Sequence, residues 1–209
     1  MPDPLKIDPR PNGPLQVSGG VSLVNSRGEA VATEATYWLC RCGGSSKKPF
    51  CDGTHKTNGF ASARLSDPAR RTTQDYAGKH ITVHDNRSFC AHMGHCTEHS
   101  PAVFSQNAEP WINTDADADV QKTIATVRMC PSGALAYSID GLRQDVAARA
   151  PAIRITQDGP YAVVGAPPLL GDERPLDAEH FTLCRCGQSK NKPFCDGAHW
   201  QAGFKDDKN

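Results

Sequence analysis

Short apolar alternations broken by turn residues fill both ends of the chain, and a different pattern occupies its middle. Residues 15–17 and 21–24 near one end, and 153–156 and 161–164 near the other, read as β-strands. Val21 and Leu23 alternate with polar or small neighbours, and the turn signal NSRG follows at 25–28, so antiparallel hairpins are expected. In the middle, residues 80–84 (HITVH) and 134–139 (ALAYSI) read as strands and residues 115–129 as a helix. Val120, Ile124 and Val127 fall on one face of that helix, Thr114 with Asp117 resembles a capping box, and Cys130 stands at its end. Polar linkers are expected at 66–75 and around 140–151, the second with a short helix at 146–148.

The two ends are copies of one another. CRCGGSSKKPFCDGTH at 40–55 and CRCGQSKNKPFCDGAH at 184–199 agree at twelve of sixteen positions. The likeness continues upstream, where residues 12–24 parallel 158–170, and downstream, where Gly59-Phe60 and Gly203-Phe204 follow the histidines. A repeat of roughly fifty residues is a structural unit rather than an isolated motif.

Composition shows what such units lack. In 209 residues, Leu, Ile, Val and Phe make up about 17%, while Gly and Pro number 18 and 16. Small, loop-rich units of this kind need a metal or disulfides to hold them. The nine cysteines form three groups of three, and an odd total argues against a complete disulfide framework. Reduced thiols and the absence of signal or transit character at the N-terminus point to the cytoplasm. Lys+Arg and Asp+Glu both number 23 and no basic stripe stands out, which excludes nucleic acid as the expected partner; Lys47-Lys48 and Arg70-Arg71 read as solvated surface. No run is apolar for long enough to span a membrane.

The outer groups share the pattern C-x-C-x8-C-x3-H: Cys40, Cys42, Cys51, His55 and Cys184, Cys186, Cys195, His199. Three thiolates and an imidazole suit Zn²⁺ or an iron-sulfur cluster. Ligand count alone allows a closed structural zinc site; a Cys-His nucleophile would leave two cysteines of each motif without a role. Asp52-Gly53 and Asp196-Gly197 can turn tightly, a following helical turn would aim free N–H groups at sulfur, and Pro49 and Pro193 would stiffen the approach to the third cysteine.

The long motif, with serines expected at Ser46 and Ser189, resembles the CDGSH iron-sulfur domain of the mitoNEET type. That resemblance implies a [2Fe-2S] cluster on each Cys3His set, and two motifs in one chain imply a dimer-like pairing within one polypeptide. Thr54 and Ala198 stand where the family has Ser, so a hydroxyl hydrogen bond is lost in the second copy.

The central cysteines read CAHMGHC at 90–96 and CPSGAL at 130–135. On a ferredoxin template Cys90 and Cys96 are ligands, Met93 fills the middle position and Cys130-Pro131 is the remote ligand. A [3Fe-4S] centre on three cysteines is expected; the alternative is a [4Fe-4S] centre with His92, His95 or water on the fourth iron. The region is similar to a divergent single-cluster ferredoxin family through Cys90, His92, Gly94, Cys96, Trp111-Ile112 and residues 130–135. His80, His84, His99 and His180 fit no motif and are expected at the surface.

The expected architecture is α+β, with β-rich CDGSH repeats at 1–65 and 152–209 forming an intramolecular pseudo-dimer around a small ferredoxin-like α+β domain at 77–140. All nine cysteines are then cluster ligands, and no phosphate loop or paired-carboxylate site stands out. Electron transfer is the first expectation, with a redox partner protein; storage and donation of clusters to an apo iron-sulfur acceptor is the second. A neutral His ligand should raise the potential of each [2Fe-2S] site, and a solvent-facing ring nitrogen at His55 or His199 would couple reduction to protons.

Overall fold

The computed structural model describes residues 4–67, 72–144, 149–171, 179–207 and 209. Three small sheets make up the fold of the described residues. In the first repeat β1 (Lys6–Pro9), β2 (Leu15–Ser18) and β4 (Thr36–Leu39) lie in the order β1-β2-β4, all antiparallel. In the second, β9 (Ala152–Ile155), β10 (Tyr161–Val164) and β11 (Phe181–Leu183) repeat this arrangement around β10.

The fourth strand of the second sheet comes from the first repeat. β3 (Ser22–Val24) does not turn back on β2; it pairs in parallel with β9, Leu23 opposite Ile153. The reciprocal contact is a parallel bridge from Ile7 of β1 to Leu169. The expected hairpin at residues 15–24 is therefore replaced by pairing across the repeats, because Leu23 is buried in a core that both repeats share. That core contains Ile7, Leu15, Val17, Leu39, Ile153, Ile155, Tyr161 and Leu183. The NSRG turn does form, with the Gly28 N–H donating to the Asn25 carbonyl.

Tyr161 ties the repeats at their centre. Its hydroxyl, fully buried, faces the carbonyl oxygens of Cys40 at 2.7 Å and Pro49 at 3.1 Å. Tyr161→Phe keeps the ring and removes the donor, leaving the buried Cys40 carbonyl short of a partner while Pro49 keeps the Cys40 N–H. The expected loss is about 1–3 kcal/mol, read as a lower denaturant midpoint with an unchanged slope.

The middle residues build β5 (Gln74–Ala77), β6 (Thr82–Asp85), β7 (Leu135–Ile139) and β8 (Leu142–Arg143) as an antiparallel sheet in sequence order. α1 (His95–His99) and α2 (Val120–Arg128) lie beside it, and α2 buries Ile124 and Val127. The helix starts later than expected. The Asp119 side chain accepts from the Gln121 and Lys122 N–H groups and is its cap, while Asp117 is used one step earlier, accepting the Asp119 N–H. Residues 115–119 thus form aspartate-held turns rather than a first helical turn. The proposed linkers are only partly described: Arg70-Arg71 and the helix at 146–148 lie outside the described residues.

His180 is not at the surface. It is 2% exposed, with Nδ1 3.3 Å from a Glu179 carboxylate oxygen, because it immediately precedes the buried strand β11. His84 is also engaged, between Asp75 and Ser138 at 2.6 Å each.

Candidate metal centres

In each motif the last strand of the repeat ends at the first cysteine, and a loop returns to place the third cysteine beside that strand. The Cys40 N–H donates to the Pro49 carbonyl and the Cys51 N–H to the Trp38 carbonyl; Cys184 and Cys195 do the same with Pro193 and Thr182. The donors then fall into pairs. Cys40 and Cys42 Sγ are 3.7 Å apart and Cys184 and Cys186 Sγ 3.8 Å. Cys51 Sγ is 3.4 Å from His55 Nδ1, and Cys195 Sγ 3.5 Å from His199 Nδ1.

These spacings fit metal coordination. Two thiolates on one tetrahedral metal, with bonds of about 2.3 Å, sit about 3.75 Å apart, and a thiolate and an imidazole nitrogen about 3.5 Å apart. Each motif therefore offers one two-sulfur pair and one sulfur-nitrogen pair, and Nδ1 is the histidine atom that faces the site. Burial pushes the Cys40 thiol up to about 11, and burial also raises Cys195. Deprotonated sulfur in these positions requires a cation to offset its desolvation, which a metal supplies.

The loops are held as their glycines and aspartates require. Gly53 (φ 92°) and Gly197 (φ 83°) adopt the left-handed conformation and donate their N–H groups to Cys51 and Cys195 Sγ, both at 3.4 Å. Asp52 accepts from the Ser46 and Thr54 N–H groups and from both hydroxyls, and these bonds hold its carboxyl well below the usual range, the Thr54 hydroxyl foremost. Asp196 keeps only the N–H groups of Lys190 and Ala198, so the hydroxyl contact expected to be missing in the second copy is missing. The serine equivalent to Ser189 is Ser45, not Ser46. Ser45 and Ser189 each donate to the carbonyl of the phenylalanine five residues on, at 2.7 Å, whereas Ser46 serves Asp52.

The arginine between the first two cysteines was missed at the sequence level, although its repetition in both motifs is a signal. Arg41 and Arg185 are buried and cap the chain upstream: Arg41 donates to the Gly13 and Arg10 carbonyls, Arg185 to those of Gly159 and Thr156. Arg185 also forms a buried ion pair with Asp206.

In the middle unit Cys90, Cys96 and Cys130 line one cavity together with Met93, His92 and His95. Burial, and then the neighbouring Cys130 sulfur, push the Cys90 thiol up to about 11. The His92 N–H donates to Cys90 Sγ at 3.4 Å. Arg87 stands in the cavity wall, its Nη1 3.9 Å from Cys90 Sγ and its guanidinium stacked 3.7 Å from the Trp111 ring centre, and can offset negative charge on the sulfurs. His95 Nδ1 is buried and has no hydrogen-bond partner among the described residues. Arg87 was also missed; no motif marks it.

The paired histidines differ in exposure. His55 is half-buried, whereas His199 is 3% exposed and its Nε2 is buried without a hydrogen-bond partner among the described residues. A solvent-facing ring nitrogen is thus not a property of the second motif.

Two family models match stretches of this chain. A family described as iron-binding zinc finger, CDGSH type, matches residues 12–56 and 158–200, and one described as divergent 4Fe-4S mono-cluster matches residues 76–140. The uncharacterized protein YjdI of Escherichia coli K12 is 37% identical over 62 residues, covering 30% of this chain and 80% of that protein; its counterpart in strain O157:H7 matches equally. The chain belongs to the CDGSH-type iron-binding family, with a divergent 4Fe-4S mono-cluster region between its two CDGSH regions.

Proposed function

We propose that this chain is an electron-transfer protein with three iron-sulfur sites. Cys40, Cys42, Cys51 and His55 hold one [2Fe-2S] cluster; Cys184, Cys186, Cys195 and His199 hold the other. Cys90, Cys96 and Cys130 hold a [3Fe-4S] or [4Fe-4S] cluster. The observation that carries the reading is the donor spacing, S–S at 3.7 and 3.8 Å and S–N at 3.4 and 3.5 Å in two loops whose sequence matches an iron-binding family.

When bound, such clusters supply reversible one-electron redox capacity, and a neutral histidine ligand raises the potential of a [2Fe-2S] site. The buried His95 Nδ1 in the cavity wall favours the [4Fe-4S] form, in which it can take the fourth iron. An EPR signal in the fully oxidised protein would instead favour [3Fe-4S].

The units proposed are residues 1–65 and 152–209, paired as an intramolecular pseudo-dimer, and residues 77–140, a ferredoxin-like domain. Reciprocal contacts support the pairing. A Cβ at Gly43 would meet the Cys186 carbonyl, one at Gly187 the Cys42 carbonyl; Lys48 lies over Phe204 and Lys192 over Phe60. Residue i against j with j against i is the mark of a two-fold interface. With this interface satisfied within the chain, the reading is of a monomer. All nine cysteines are free thiols, which suits a reducing compartment such as the cytoplasm. No helix among the described residues is long and apolar enough to cross a membrane.

A second reading, storage and donation of clusters, is favoured by the half-buried His55 as a releasable corner. Reversible reduction and reoxidation with iron content unchanged supports electron transfer. Passage of a [2Fe-2S] cluster to an apo-ferredoxin faster than any reversible electron exchange would favour donation instead.

A further inference from the structure

The two CDGSH motifs have almost the same internal geometry but different surroundings. Cys184, Cys186, Cys195 and His199 are all buried; of the first set only Cys40 is. The difference comes from the middle unit, which lies against the second motif. Phe89 meets Phe194 edge to face with ring centres 4.9 Å apart. Asn191 Nδ2 donates to the Ser88 carbonyl at 2.7 Å, and Trp200 Nε1 to the His92 carbonyl at 3.0 Å.

The sequence encodes this asymmetry at the positions where the copies diverge. Asn191 and Trp200 correspond to Lys47 and Lys56 of the first motif, whose side chains offer neither the amide nor the indole. His92 itself sits in the left-handed region (φ 53°), with its ring against Gly197: a Cβ there would lie 2.6 Å from His92 Cδ2. The same glycine in the first motif, Gly53, has nothing within 4 Å of such an atom. His92 also donates its N–H to Cys90 Sγ, as Gly197 does to Cys195 Sγ, each at 3.4 Å. Two N–H···S bonds and one van der Waals contact thus join a ligand of the central site to a ligand of the second.

We propose that His92, latched by Trp200 onto Gly197, is a positioning residue that makes the second CDGSH site the internal electron partner of the central site and leaves the Cys40–His55 site as the port to external partners. The inference rests on the iron-sulfur reading above. One electron passes between the Cys90 and Cys195 sides; the donor site is oxidised by one electron, the acceptor reduced by one, and no bond forms or breaks. The first electron comes from an external one-electron carrier protein.

The test uses the full chain with its clusters, Trp200→Lys, which installs the first motif's residue at an exposed position, and the matched pair Gly53→Ala and Gly197→Ala. Both glycine changes carry the same left-handed backbone cost, but only the second meets His92. In the native protein, [2Fe-2S] loss to excess iron chelator should show two phases, the second site slower by on the order of tenfold or more, because it opens only when the latch does. In the fully reduced protein, EPR should show one [2Fe-2S] signal broadened by the central cluster and one not. Trp200→Lys and Gly197→Ala should merge the two phases and narrow the broadened signal, while Gly53→Ala leaves that signal unchanged. Two unbroadened [2Fe-2S] signals, or a single phase of loss in the native protein, would overturn the latch with the iron-sulfur reading intact. A preparation without iron and sulfide would instead overturn the reading beneath it.

Discussion

Arg185→Met should destabilise the protein by about 3–5 kcal/mol, since it breaks a buried ion pair by removing one partner. Arg185 is 1% exposed and Asp206 3%. Removing the guanidinium takes its buried cation from the Asp206 carboxylate and one donor each from the Gly159 and Thr156 carbonyls. It also removes the cation stacked 4.9 Å from the centre of the Phe204 ring. Arg41→Met is the internal control. Arg41 makes the same pair of carbonyl contacts and lies 5.4 Å from the centre of the Phe60 ring, but no buried carboxylate is left behind when it goes. Its loss should cost distinctly less. Denaturant titration of both variants, clusters loaded, reads the difference; equal losses would show that the Asp206 pair contributes nothing beyond the shared contacts.

His55→Cys and His199→Cys should each lower the reduction potential of one [2Fe-2S] centre, by on the order of 100 mV or more, following the difference between histidine- and cysteine-ligated [2Fe-2S] proteins. The substitution exchanges a neutral donor for an anionic one, so the oxidised state gains more than the reduced state. The ring to be replaced presents Nδ1 in both motifs, 3.4 and 3.5 Å from the third cysteine's sulfur. The two rings differ in burial: His55 is half-buried, and at His199 the outer nitrogen is enclosed. Potentials unmoved in either variant would remove that histidine from the ligand set.

Much of this was legible in the chain. The two repeated Cys-His motifs are strong signals because coordination demands fixed residue types at fixed spacing, and their side chains lie in pairs 3.4 to 3.8 Å apart. The strands of each repeat follow the apolar alternation, and Ile124 and Val127 keep their expected buried face on α2. What the pattern could not give was pairing. Leu23 alternates as any half-buried strand residue does, and nothing local says that its partner is Ile153 of the other repeat. The start of α2 was misplaced because three aspartates, at 115, 117 and 119, compete as caps, and the last one takes the role. His180 was misread for lack of a motif, since its burial comes from the strand it precedes.

The most informative residues were those that break the repetition. Identity between the copies marks the ligand loop, including Arg41 and Arg185, which was readable and overlooked. Divergence at Lys47/Asn191 and Lys56/Trp200 marks where one copy faces solvent and the other carries the middle unit.

The proposed function requires that three groups of cysteines hold iron and sulfide. Anaerobic purification followed by iron, zinc and acid-labile sulfide analysis, with a visible spectrum, tests it most directly. A coloured protein is expected, whose iron and sulfide fall together, cluster by cluster, when Cys51, Cys130 and Cys195 are replaced singly by alanine. A colourless protein containing stoichiometric zinc and no sulfide would contradict it.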